Sequence, residues 1–170
     1  MKKNYFLLFL LSSFLSFTLC AQQAVNIPTK FPTEFGVFTF PLGSKILLEL
    51  KAVDSSKFEY RVLSIEPIEG FYSFKKDENL FSKTIKENTV EIYFMGAYYN
   101  EGKEDKDYKS LLLLRDNLAV TLNYKADIKY YYSDEFKNTS IVGASPGSKT
   151  QEIWPQKIDF IRLYDFEKVK

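Results

Sequence analysis

Residues 109–125 read KSLLLLRDNLAVTLNYK, and this stretch decides the fold class. Leu111 to Leu114 are apolar on both faces, as a strand near the middle of a sheet requires. Asp116 and Asn117 follow, and their side chains favour turn conformations. Leu118, Val120, Leu122 and Tyr124 then alternate with Ala119, Thr121 and Asn123, the period of a half-buried strand. The expectation is a tight hairpin with a central first arm.

The same period recurs on both sides of it. In residues 45–54, Ile46, Leu48, Leu50 and Ala52 share one face, while Phe58, Tyr60 and Val62 alternate with Lys57, Glu59 and Arg61. Asp54 to Ser56 supply the turn between the two runs. Val90, Ile92, Phe94 and Tyr98 mark another strand face, and Ile128, Tyr130 and Tyr132 lie opposite Asp127, Lys129 and Tyr131. The run from Lys157 to Phe166 is apolar on both faces and is expected to be central. One segment departs from this period: Asp77 as an N-cap, Leu80, Phe81, Thr84 and Ile85 on one stripe, and Asn88 as a stop predict a short helix. The chain therefore reads as mainly β, a single antiparallel β-sandwich or partly closed barrel of about eight to ten strands, with that one helix.

At the N-terminus, Lys2 and Lys3 precede an uncharged run from Asn4 through Val25, the form of a secretory signal peptide. A membrane-spanning helix is the competing reading, but Ser12, Ser13, Ser16 and Thr18 interrupt the apolar run. Residues 1–21 are expected to be the leader and residues 22–170 a single exported β domain. Cys20, in SFTLCAQQ, is the alternative lipidation point. The bulky Leu19 directly before it departs from the small residue expected ahead of an acylated cysteine, so cleavage after Ala21 and release are favoured. The expected location is periplasmic, cell-surface or extracellular, with the membrane as a partner only through lipid on Cys20.

Composition closes off much chemistry. Without Lys2 and Lys3 the 23 basic residues fall to 21 against 22 acidic ones, interspersed along the chain. Nucleic acid is thus not an expected partner, for lack of a basic footprint. There is no histidine, and Cys20 is the only cysteine, so zinc, copper and haem lose their usual ligands, and Ser-His-acid and Cys-His catalysis are impossible. With the leader removed, disulfides are excluded too.

Three weaker motifs remain. GASPGSKT, Gly143 to Thr150, resembles a phosphate-binding loop but has Ser148 where glycine must precede the lysine, so a Pro-Gly turn is expected. Asn100, Glu101, Glu104, Asp105 and Asp107 crowd oxygen donors into one loop, yet Lys103 and Lys106 sit among them and oppose a calcium ion. No cofactor or metal is expected. A glycosidase would need two carboxylates in one cleft, with Glu91 facing Asp127 or Glu152 as the available choice.

The strongest functional signal is aromatic. The chain holds 16 Phe, 12 Tyr and one Trp, and Tyr98, Tyr99, Tyr108, Tyr131 and Trp154 are the candidate binding surface. Tyrosine and tryptophan offer a flat apolar face with a polar tip, suited to sugar rings or a protein partner. The leading functional reading is an exported, non-catalytic binding or interaction domain of the cell envelope, with a protein or carbohydrate ligand. A carrier of a small apolar ligand in a barrel-like fold is the first alternative, and a carboxylate-dependent glycoside hydrolase the second.

Overall fold

The computed structural model describes residues 30–100, 102 and 105–169. The expected leader and Cys20, and Glu101, Lys103 and Glu104 of the acidic loop, lie outside the described residues. Ten strands follow in chain order: β1 (Thr39–Pro41), β2 (Ser44–Ala52), β3 (Lys57–Pro67), β4 (Tyr72–Ser73), β5 (Thr89–Tyr98), β6 (Tyr108–Asp116), β7 (Leu122–Tyr130), β8 (Lys137–Thr139), β9 (Lys149–Trp154) and β10 (Ile158–Lys168). A 3-10 turn, Asp105–Asp107, precedes β6.

All ten belong to one sheet, ordered β8-β7-β10-β3-β2-β5-β6-β9, with β1 added to β10 and β4 to β5. Only the β4–β5 pair is parallel. The sheet curls strongly into a half-barrel, so the fold is mainly β and barrel-like. Its two edge strands are tied by side chains: the Trp154 indole Nε1 donates to Thr139 Oγ1 at 3.0 Å, and the Val142 amide donates to the Glu152 carboxylate.

Alternation explains the interior. Ile46, Leu48 and Leu50 of β2, Val90, Ile92 and Phe94 of β5, and Leu122, Tyr124, Ala126 and Ile128 of β7 all turn inward and pack with Phe40, Trp154 and Phe166. The expected β2–β3 hairpin is present, with Asp54 Oδ1 accepting from the amides of Ser56 (2.7 Å) and Lys57 (2.8 Å). β10 is central, as its two apolar faces predict, with β7 on one side and β1 and β3 on the other.

The hairpin expected in residues 109–125 does not form. β6 lies between β5 and β9, while β7 lies between β10 and β8. Residues 144–146 come between the two arms, with Ala144 bridging Leu122 and Pro146 bridging Asp116. That approach requires glycine at 143, where a Cβ would sit 2.6 Å from the Leu122 carbonyl oxygen. The turn chemistry at Asp116 is as expected, with Oδ1 accepting from the Leu118 amide at 2.7 Å, but it starts a wide crossing rather than a tight return. GASPGSKT is a turn: Gly147 has φ +69, Ser148 donates to the Ser145 carbonyl at 3.1 Å, and β9 begins at Lys149.

The helix expected from Asp77 to Asn88 is likewise absent, and the segment is an irregular flap. Asp77 (φ 44) and Asn88 (φ 57), read as cap and stop, both take left-handed conformations. Backbone donors that a helix would use internally bond sideways instead: Phe81 to Asn79 Oδ1, and Ser82 to the Glu91 carboxylate. Leu80 and Phe81 then pack on the outer face of β5 and β6 with Tyr72, Tyr93, Met95, Leu111 and Leu113. The expected stripe is therefore only half buried: Leu80 and Phe81 pack on the sheet, whereas Thr84 and Ile85 face solvent, because without the helix they no longer share a side with Phe81.

A second irregular segment wedges the sheet open. β3 and β10 pair only at Phe58↔Phe166 and Lys57↔Glu167. Farther along, Thr33 and Gly36 bond to the Val62 and Tyr60 carbonyls while β1 pairs with β10. The Tyr60 hydroxyl spans the gap, accepting from the Phe38 amide (2.9 Å) and donating to the Leu163 carbonyl (2.8 Å).

Candidate functional site

Register places the predicted aromatic residues at one end of the half-barrel. Tyr98 closes β5 directly opposite Tyr108, which opens β6. Trp154 closes β9 opposite Ser110, two residues in from Tyr108, and Tyr130 closes β7 opposite Ile158, where β10 begins. Five strand ends thus deliver Tyr98, Tyr99, Tyr108, Tyr131 and Trp154 to a common rim.

The rim has three aromatic groups. Phe71 meets Tyr98 edge-on at 4.8 Å, and Tyr98 meets Tyr108 in the same manner at 5.4 Å. On the other side of β4, Tyr72 packs against Phe74 at 5.5 Å, and Phe74 stacks on Tyr99 at 4.5 Å. In the third group Tyr132 lies nearly parallel to Tyr130 at 5.4 Å, and Tyr131 stands perpendicular to Tyr132 at 5.1 Å.

Polar contacts tie the third group to the ends of β6 and β10. Tyr132 donates to Gln156 Oε1 at 2.9 Å, and Ser110 Oγ donates to the Gln156 carbonyl while accepting from the Ile158 amide, both at 2.9 Å. Such edge-to-face and stacked pairs stabilise by ~0.5–1.5 kcal/mol beyond burial, so the ring positions are set before any ligand arrives. Burial pushes the Tyr108 hydroxyl above the ordinary phenol range. Asp159, in an ion pair with Lys157 at 3.5 Å, adds to that effect.

Exposure separates the predicted residues into two sets. Tyr131 is 61% exposed and Tyr99 48% exposed, so both present surface to solvent. Tyr98 and Tyr108 are half-buried, and Trp154 is 7% exposed, turned inward to hold the β8–β9 edges together. Tyr132, expected to face the core with Tyr130, is 59% exposed because β7 ends at Tyr130 and the alternation ends with it. Phe71, Phe74 and Gln156 went unread in the sequence. The aromatic run FYSF, residues 71–74, was the available signal, but it lacks a strand period of useful length.

The three carboxylates weighed as a catalytic pair do not share a cleft. Glu91 lies on the outer face, where it pairs with Arg115 at 2.7 Å and accepts from Ser82 N and Tyr93 Oη. Glu152 faces inward, opposite Leu112, and its carboxyl is held above the usual range by burial. Asp127 is on the outside of β7, accepting from Tyr164 at 2.9 Å and Asn138 at 3.2 Å. In the acidic loop Asn100 donates to Asp107 at 2.9 Å, and no cluster suited to a metal ion occurs among the described residues.

No protein-family model, curated protein or solved structure matches this chain.

Proposed function

We propose that this chain is an exported, non-catalytic binding domain that engages a cell-envelope partner, protein or carbohydrate, through its aromatic rim. The observation that carries this reading is the Tyr131–Tyr132 pair: both rings are more than half exposed, yet Tyr132 is clamped by Tyr130 below it and Gln156 at its hydroxyl. Leaving two large rings in water forgoes the roughly 1.5–3 kcal/mol that full burial of a large apolar side chain brings. A rigid, amphipathic ring loses little entropy on association, and such residues dominate binding surfaces. The filled interior, with Phe40, Phe94 and Phe166 fully buried at its centre, supports a surface-binding role over an enclosed apolar ligand.

The test is sedimentation of the purified mature domain with isolated envelope fractions, beside a Tyr131→Ala/Tyr132→Ala variant. The proposal expects retention of the parent and loss of at least about tenfold in the variant, as for two hot-spot rings. Equal retention, or a measurable hydrolytic turnover, overturns it. Mass spectrometry of the mature N-terminus tests the route of export, with free Gln22 expected on release and an acylated Cys20 on anchoring.

A further inference from the structure

Beside the rim, beneath the flap, lies a cavity of about 260 Å³. Its apolar lining consists of Tyr72, Leu80 and Met95, with Phe71 as a further wall. Tyr72 and Met95 are buried, and the Tyr72 hydroxyl is already committed to Asp77. The polar lining is Ser73, Lys76 and Glu78. The Ser73 hydroxyl oxygen is buried without a hydrogen-bond partner among the described residues. Lys76 and Glu78 are exposed, and neither forms an ion pair among those residues.

We infer that this cavity binds a free apolar α-amino acid. The volume sits just below the ~300–1,000 Å³ of drug-sized sites, so the occupant is small. The apolar lining takes an aliphatic or aromatic side chain, while the opposite charges take the two ends of the zwitterion: the ammonium on Glu78, and the carboxylate on Lys76. A sugar ring is less well served, since it needs hydrogen-bond partners around its whole edge and meets Leu80 and Met95 instead. This site is separate from the Tyr131–Tyr132 pair, so either assignment can fail without the other.

The experiment is a titration of the mature domain with L-leucine and L-phenylalanine, read by amide chemical shifts. Leucinamide, which lacks the carboxylate, 4-methylpentanoate, which lacks the amine, and glucose are run in parallel. The expected result is saturable shifts at residues 71–80 and 95 with the two amino acids, weakened about tenfold by loss of either charged end, since one charge-assisted hydrogen bond is then gone. Lys76→Met should weaken leucine to the same extent and leave leucinamide unchanged, and Glu78→Gln should do the converse with 4-methylpentanoate as the insensitive probe. Both substitutions are at exposed positions, and circular dichroism checks the fold. Absence of shifts, equal binding of the truncated probes, or binding of glucose in preference overturns the inference.

Discussion

β5 and β6 are buried on both faces, but by different means. Their inner face meets other strands of the same sheet, with Phe94, Leu112 and Leu114 in the apolar interior. Their outer face is covered by the irregular flap and held by polar contacts: Arg115 to Glu91, Tyr93 to the Leu80 carbonyl at 2.5 Å, and Lys149 to Asp77 at 2.6 Å. The buried acids differ accordingly. Glu91 on the outer face has a guanidinium, an amide and a phenol around its carboxylate. On the inner face Asp116 and Glu152 each accept one amide, with no cation paired to them among the described residues, and burial raises both. The strand-covered face holds itself by packing, whereas the flap-covered face depends on compensated charge.

The largest effect should come from the packed side. Phe94→Ala empties a fully buried site that surrounding strands cannot close, and chemical denaturation should show a loss of ~3–5 kcal/mol. Phe81→Ala, under the flap, should cost about 2 kcal/mol, because the flap can settle into the space. Equal losses would erase the distinction between the faces.

Next in size is the charge on the outer face. Arg115→Met leaves the Glu91 carboxylate buried without its cation, and should destabilise by about 3 kcal/mol. Adding Glu91→Gln should recover most of that loss. A double variant as unstable as the single one would show that packing, not charge, holds the flap.

A smaller effect tests the uncompensated inner acid. Burial raises Asp116 from 3.8 to about 6, so between those values the folded protein holds a proton that the unfolded chain has released. Its contribution is therefore fully present below pH 3.8 and falls away as pH rises through about 6. Asp116→Asn should flatten this part of the stability profile, removing a slope of at most roughly 1.4 kcal/mol per pH unit between pH 3.8 and about 6. An unchanged pH slope would place the titration elsewhere.

The smallest effect concerns the exposed latch. Lys149→Met should leave the denaturation midpoint nearly unmoved while hydrogen exchange accelerates between residues 72 and 82, since an exposed pair contributes little globally. Exchange that rises equally in β2 and β7 would mean the flap does not open on its own.

The fold was legible where burial has a period. Ile46, Leu48 and Leu50 identify an inward face from their spacing alone, and the same holds for Val90, Ile92 and Phe94. Partnership was not legible, and Leu111 to Leu122 show why. Alternation reports which side of a strand is buried, not which strand covers it, and Ala144 and Pro146 take the places that a hairpin would give to the other arm. The rim was half legible. Tyr99 and Tyr131 could be named as outward residues, but Trp154 faces inward because its indole ties β9 to Thr139, a contact made 15 residues away.

The sequence by itself determined a β-rich chain, its turn at Asp54 to Ser56, a central β10, and the exclusion of histidine chemistry, because these follow from local spacing and composition. The tertiary structure alone decided the strand order, the flap in place of a helix, the split environments of Glu91 and Glu152, and the gathering of Phe71, Tyr98, Tyr108 and Tyr132 at one end. The physical reason is that non-local pairing and the burial of charge depend on which segments meet, and segments far apart along the chain meet only once the sheet has curled.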